Sequence, residues 1–450
     1  MNNVSKSRLI ILSIISIGII LRLTLFIVSP PNNSFDDHLE VVYLYAKSAQ
    51  IPSPSDCWEC YQPPLYYSIG GLVYSLSYYV SESKLIAWKT VQLINPILSI
   101  LALIVFWRII DSYSSNRNQK ILFLTFFTIL PVDIFTAVMI GNDYLLVFTT
   151  ILVYFQFQKC LDSLKTNQII SLKKFILLLG IVVSGCLTKQ HGLILLIFPL
   201  IILMKAKYQN KNIPITNLVL FYILFFTIGI SNELWKYHLT DKALVSNQEF
   251  FNYAKNQFPG KFELVELSSF KIKALFFDPF ISEKTSASLP TELFARTFFD
   301  YEYRFLNPQV KSVVILARFG YILGLLWAIF LFSISIIAIR KKLGELKKIS
   351  IPTLFSFLPI AIGMLFLLVP LLQTMRYPYF SSMKATFILP GLFILLPLIV
   401  RGTKAIQIPK WLTIMLTSFS LAYGVILMVF IAIYISQTIN QLHGPLWQIP

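Results

Sequence analysis

The chain reads as an all-α polytopic membrane protein, a bundle of about eleven transmembrane helices with two long outer loops that carry surface helices. Three observations predict this. Hydrophobic residues make up 56% of the 450 and charged residues only 13%, with a mean hydropathy of +0.70; a soluble domain carries roughly 25% charged residues. Apolar runs of about 20 residues, the length that crosses a ~30 Å hydrocarbon core, recur along the chain. Lys and Arg, whose excess gives a net charge of +17, gather in short segments between those runs. This composition excludes a water-soluble fold.

The first run, Leu9 to Val28, follows Lys6 and Arg8. It is long, Arg22 interrupts it and no small-x-small cleavage site follows, so it reads as an uncleaved signal anchor. Later spans are expected near 90–107, 121–140, 144–159, 175–188, 192–204, 216–234, 312–339, 351–372, 386–400 and 411–436. With the N-terminus in the cytoplasm, the inner segments are 1–8, 108–120, 159–174, 205–215, 340–350 and 401–410. They hold more than half of the 38 Lys and Arg residues, including Arg340-Lys341-Lys342 and Lys347-Lys348. The short outer turns hold few: none around Asn142, Lys189 alone at 189–191, and Arg376 with Lys384 at 373–385. The positive-inside rule sets the orientation from this asymmetry, in a plasma (inner) membrane. Anionic membrane lipids answer the basic excess. Nucleic acid is not an expected partner, since no basic–aromatic groove is visible.

At 175–204 each apolar half is too short for a full bilayer crossing. Two short helices, or a re-entrant hairpin, keep Lys205, Lys207 and Lys211 inside. Either places Lys189-Gln190-His191 near the outer headgroups. Three parts follow: an N-terminal transmembrane module at 1–234 that includes the first outer loop (29–89), a long outer loop at 235–311, and C-terminal helices at 312–450. Both loops are too long to be turns and are rich in aromatics.

Polar groups on the outer side are the candidates for chemistry. Asp36-Asp37-His38-Leu39-Glu40 follows the first span directly. Adjacent aspartates repel, so one carboxyl should be raised unless a cation lies close. The cluster suits a general base or part of a metal site, and equally a solvated helix cap. Asn142-Asp143 opens a helix at the next outer turn, as an N-cap or a second acidic group. Lys189 and His191 lie on the lysine-poor side, where a buried cation calls for an anionic partner such as a lipid phosphate. Arg22, Arg376 and Lys384 pose the same question, with snorkelling as the plain alternative. Cys57-Trp58-Glu59-Cys60 reads as a local disulfide in an oxidising loop, with Cys160 and Cys186 free.

In this order the motifs resemble the GT-C superfamily, specifically bacterial dolichyl-phosphate-mannose mannosyltransferase-like proteins of glycosyltransferase family 39 type. The resemblance runs from Asp36-Asp37-His38-Leu39-Glu40 through Tyr61-Gln62-Pro63-Pro64-Leu65-Tyr66-Tyr67, Gly141-Asn142-Asp143 and Leu187-Thr188-Lys189 to Lys384-Ala385-Thr386-Phe387-Ile388-Leu389-Pro390. It covers 235–311 poorly. In the family's pattern the acidic pair is Asp-Glu with a spacer before the histidine; here it is Asp-Asp followed at once by His38. The resemblance implies a GT-C-like bundle. It implies an inverting transfer of a sugar from a polyprenyl-phosphate carrier to an acceptor hydroxyl of a glycan, lipid or protein, on the non-cytoplasmic face. Asp36 or Asp37 would be the base. His38, Glu40, Gln62, Asp143, Lys189, His191, Arg376 and Lys384 would bind substrate, the cations holding the departing phosphate. No cofactor is expected, a divalent metal being the less favoured alternative. A transporter or lipid-linked glycan flippase is the competing reading; those folds show internal repeats and helices broken at the midplane, and neither is evident.

Overall fold

The computed structural model describes residues 3–438 except 32, 35, 115, 166–170, 210–214, 243, 253–262, 283–287, 346–350, 380–381 and 403–407. Phe35, Lys211, Lys347 and Lys348 therefore lie outside the described residues, and of Lys341 and Lys342 only the backbone is described. The described elements are helical throughout. Among the described residues eight helices are long and apolar enough to cross a membrane: Arg8–Val28, Lys84–Tyr113, Asp143–Leu164, Gln190–Tyr208, Ile215–Thr240, Lys311–Ala338, Phe357–Arg376 and Lys410–Ile433. The chain is an integral membrane protein.

The three remaining expected spans are shorter helices. Near 175–188 the helix is Leu172–Cys186, and near 386–400 a 3-10 turn at Ala385–Ile388 leads into Leu389–Gly402. The segment expected to cross at 121–140 is broken. Arg117–Ile129 stops at Leu130, whose ψ is 114°, and Pro131–Thr136 starts again as a separate turn. Proline lacks the N–H and disfavours helical geometry in the residue before it, so the break falls at Leu130-Pro131. At 175–204 the chain forms two helices joined through a 3-10 turn at Gln190–Leu196, the two-helix alternative.

Asp143–Leu164 stands at the centre of the bundle, its apolar stretch 72% buried against 17% for that of the peripheral Ile215–Thr240. The Asp143–Lys165 helix packs against Ile94–Tyr113, Leu172–Cys186 and Leu389–Gly402. Arg117–Ile129 packs against the first helix, Asn3–Val28, and the last, Lys410–Thr438.

Both long loops carry helices. The first holds His38–Ser48, Leu65–Ser81 and the start of Lys84–Gln92, capped by Ser83, whose hydroxyl accepts from the Ile86 N–H at 3.4 Å. His38, Val41, Val42 and Tyr45 recur at helical spacing and bury one face of His38–Ser48 against Tyr66, Tyr67, Gly70, Gly71 and Tyr74 of its partner. Gly71 permits that approach: a Cβ there would lie 2.8 Å from the Tyr45 Cβ and 2.9 Å from the Ala46 nitrogen.

Candidate active site

The segment leaving the first span is pinned from three directions. Gln92 Nε2 donates to the Pro30 carbonyl at 3.0 Å, the Ile140 N–H to the Asn33 carbonyl at 2.8 Å, and Arg304 Nη1 to the Ser34 carbonyl at 2.7 Å. Asp36 is thereby held where the late segment before Ala385–Ile388 reaches it, and Lys384 Nζ closes on Asp36 Oδ2 as an ion pair. Each side chain is 16% exposed, enough for a ligand to reach the pair from outside. Burial pushes the Asp36 carboxyl up most strongly, but the charge and hydrogen bond of Lys384, together with His38 and Lys189, hold Asp36 below its ordinary value. Lys384 is in turn held above its ordinary value, since Asp36 and Glu59 outweigh its burial.

A second pair lies beside the first. Asp143, the first residue of the central helix, accepts from Lys189 Nζ at 2.6 Å, with both side chains buried. A carboxylate at a helix N-terminus is favoured by the dipole. The Lys189 ammonium also sits 4.8 Å from the centre of the Phe387 ring, three residues beyond Lys384. His38 fills the space between the pairs. Its Nδ1 lies 2.7 Å from the Tyr67 hydroxyl, and its ring packs on Gly141, where a Cβ would come within 3.0 Å of Cδ2. Burial lowers His38 to about 4, so the imidazole is neutral at pH 7.

Gln62 ties the loop to both turns. Its Nε2 donates to Glu59 Oε2 at 3.0 Å and to the Tyr61 hydroxyl at 2.7 Å, while its Oε1 accepts from Asn142 Nδ2 at 3.2 Å. Asn142 Nδ2 also donates to the Thr188 carbonyl at 2.9 Å, and the Leu65 N–H to the Leu187 carbonyl at 2.9 Å. The Gln62-Pro63-Pro64-Leu65 stretch thus fixes the turns that carry Asp143 and Lys189. Cys57 and Cys60 form the expected disulfide, and Cys160 and Cys186 are free and buried.

Other candidates lie elsewhere. Asp37 and Glu40 are exposed, and each is pushed upward, by partial burial first and then by the neighbouring carboxylate. Arg376 points to Glu249, 2.5 Å away, and to the Leu244 carbonyl at 3.1 Å. His191 meets the edge of the Phe387 ring at 5.0 Å, on the Lys189 side. Arg22, read from the sequence as a possible phosphate cation, is instead an internal strut. It pairs with the buried Asp133, which also accepts from the Tyr144 hydroxyl at 2.7 Å. It donates to the carbonyls of Thr128 (3.1 Å) and Phe127 (3.5 Å), groups that the Pro131 break deprives of helical partners.

Sequence reasoning passed over Glu59, Tyr67, Asn247 and Arg304. A charged residue inside a Cys-x-x-Cys bracket was the available signal for Glu59, and the end of the Tyr61–Tyr67 motif for Tyr67; Asn247 and Arg304 show none. Asp36, His38 and Glu59 each bring a ligand-type atom within 4.8 Å of the others. Lys384 pairs with Asp36 through Oδ2, and the Tyr67 hydroxyl lies on His38 Nδ1. Chemically the site offers two carboxylates, Asp36 and Asp143, each paired with an ammonium group.

No protein-family profile and no curated protein matches the chain. Among solved structures it is similar to ArnT from Cupriavidus metallidurans bound to undecaprenyl phosphate, at 11% identity over 88% of this chain and 77% of that one, with a TM-score of 0.36. It is similar to the oligosaccharyltransferase AglB from Archaeoglobus fulgidus, at 12% identity over 95% of this chain and 56% of that one, with a TM-score of 0.40. For the arabinosyltransferase EmbB from Mycobacterium smegmatis the identity is 10% over 96% of this chain and 41% of that one, with a TM-score of 0.39. All three are GT-C glycosyltransferases.

Proposed function

We propose that the chain is a membrane glycosyltransferase that moves a sugar from a polyprenyl-phosphate carrier to an acceptor hydroxyl on the non-cytoplasmic face. One observation carries the reading: Asp36, held below its ordinary value, pairs with Lys384 and lies within electrostatic reach of Lys189, itself paired with Asp143. A polyprenyl phosphate is already a good leaving group, so the protein need not supply an acid. It needs a carboxylate to take the acceptor proton and cations to hold the phosphate as its charge develops. In that step the acceptor oxygen attacks the anomeric carbon and its proton passes to Asp36. The carbon–oxygen bond to phosphate breaks, with its electron pair going to the phosphate. Attack from the face opposite the phosphate inverts the anomeric centre.

Partial burial and the Lys384 partner support Asp36 over the exposed Asp37 as base. On donor binding, Lys384 can turn from Asp36 to the phosphate. Lys189 supplies the second cation, and Gln62 and Asn142 keep the two turns in register. The Lys and Arg bias of the short loops supports an outward-facing site and a cytoplasmic N-terminus.

Replacing Asp36 and Asp37 separately by Asn tests the base. Sugar loss from a polyprenyl-phosphate donor is followed in membranes. Asp36→Asn is expected to lower the rate by about 10²-fold or more, the usual contribution of a general base, and Asp37→Asn to leave most of it. Full activity in Asp36→Asn would overturn the reading.

A further inference from the structure

The Cys57–Cys60 bracket encloses a carboxyl that faces inward. Glu59 is 2% exposed, between two cysteines each 3% exposed. Carboxylates are seldom buried that far without a cation, and among the described residues none pairs with Glu59. Amides hold it instead. Gln62 Nε2 donates to Oε2 at 3.0 Å from within the loop, and Asn247 Nδ2 to Oε1 at 3.5 Å from the 235–311 segment. On the outer side, Trp58 packs on Phe251 with ring centres 5.6 Å apart. The disulfide closes a four-residue loop with a Cα–Cα distance of 5.1 Å. That tight loop leaves Glu59 little freedom to swing to solvent.

The geometry points to Glu59 as a positioning residue of the transfer reaction, held beside Asp36 by the Cys57–Cys60 bridge so that it sets how much negative charge the site carries. This rests on the reading of Asp36, Lys189 and Lys384 as the transfer site. The groups facing Glu59 come from every neighbouring element. Asp36 and His38 follow the first span, Tyr61 and Gln62 belong to its own loop, and Tyr67 to the Leu65–Ser81 helix. Lys189, with its partner Asp143, Lys384 and Asn247 complete the set.

Burial first, and then the Asp36 charge, push Glu59 up to about 8 against the pull of Lys384 and Lys189. Near neutral pH its carboxyl keeps the proton. The two ammonium groups then face Asp36 and Asp143 without a third carboxylate, which leaves more of their field for an incoming phosphate. Above that range Glu59 ionises, places a second negative charge beside Asp36, and competes with the phosphate for Lys384.

Binding of undecaprenyl phosphate to the purified full chain in nanodiscs, followed from pH 6.5 to 9.5, tests this. Wild-type affinity should fall on the order of tenfold as pH rises through the region near 8, from one added like charge close by. Glu59→Gln should lose the fall and hold a level affinity across the range, and Glu59→Asp should restore the fall. Reducing the wild-type disulfide with a phosphine should flatten the curve in the same way, a readout that needs no variant to fold. A Glu59→Gln curve weakened equally at every pH, or a reduced protein with the oxidised protein's curve, overturns the proposal. Absence of binding by wild type at all pH values overturns the transfer reading, and this inference with it.

Discussion

Lys384 and Asp36 lie 348 positions apart in the chain, and their pairing defines the chemistry of the site. Adjacent aspartates alone predict that one carboxyl is raised, and the structure separates the two. Asp37 is raised by its partial burial and by Asp36, whereas Asp36 is held low because a cation arrives from the far end of the chain. Lys384→Met should therefore release Asp36 to the upward push of its burial. The acid side of the rate–pH profile should then move to higher pH by about a unit or more, because the base is protonated sooner. The check is sugar transfer measured from pH 4 to 8; an unmoved acid side would mean that Lys384 does not set the ionisation of Asp36. Neither the distance nor the burial that decides this pair is visible in the residues around either member.

Among the elements, the two helices of the first loop carry the motif and depend on close backbone approach. Gly71→Ala places a Cβ 2.8 Å from that of Tyr45 and 2.9 Å from a backbone nitrogen. The clash is with backbone, which cannot swing aside, so the cost should be about 1–3 kcal/mol. Gly180, in Leu172–Cys186, has nothing within 4 Å of the point where a Cβ would sit. Gly180→Ala should be neutral or stabilise by up to about 1 kcal/mol through helix propensity. Thermal unfolding of the two variants in the same detergent tests the contrast, and equal midpoints would contradict it. The long spans were legible as apolar runs. The break at Leu130-Pro131 was not, because an unbroken hydropathy run hides a missing N–H. The same break explains Arg22, whose guanidinium answers the carbonyls left open there.

At the scale of the whole molecule, the bundle is arranged about the Asp143–Lys165 helix, and the polar groups gather where its first residue meets the loops. The loop charges predict that this end faces outward. Lys47 and Lys207 are exposed in different parts of the chain, the first in the first long loop and the second in a segment expected to be cytoplasmic. A cysteine in place of Lys47 should react with a membrane-impermeant maleimide in intact cells. A cysteine in place of Lys207 should react only after permeabilisation. The native thiols Cys160 and Cys186 are buried and should stay silent. Labelling in the reverse order would invert the topology.

By itself, the sequence determined that this is a helical membrane protein and where most apolar runs lie, and it favoured a local Cys57–Cys60 bridge, which the structure holds. These properties are local: hydropathy acts over one span, and a four-residue loop closes on itself. Tertiary structure alone decided which carboxylate meets which cation. It placed Glu59 against Asp36, turned Arg376 toward Glu249, and made Arg22 a strut rather than a ligand group. An ion pair depends on separation and on exclusion of water, and packing sets both across hundreds of residues. The acidic pair stands at 36–37 in the sequence, and among the described residues the fold brings a cation to Asp36.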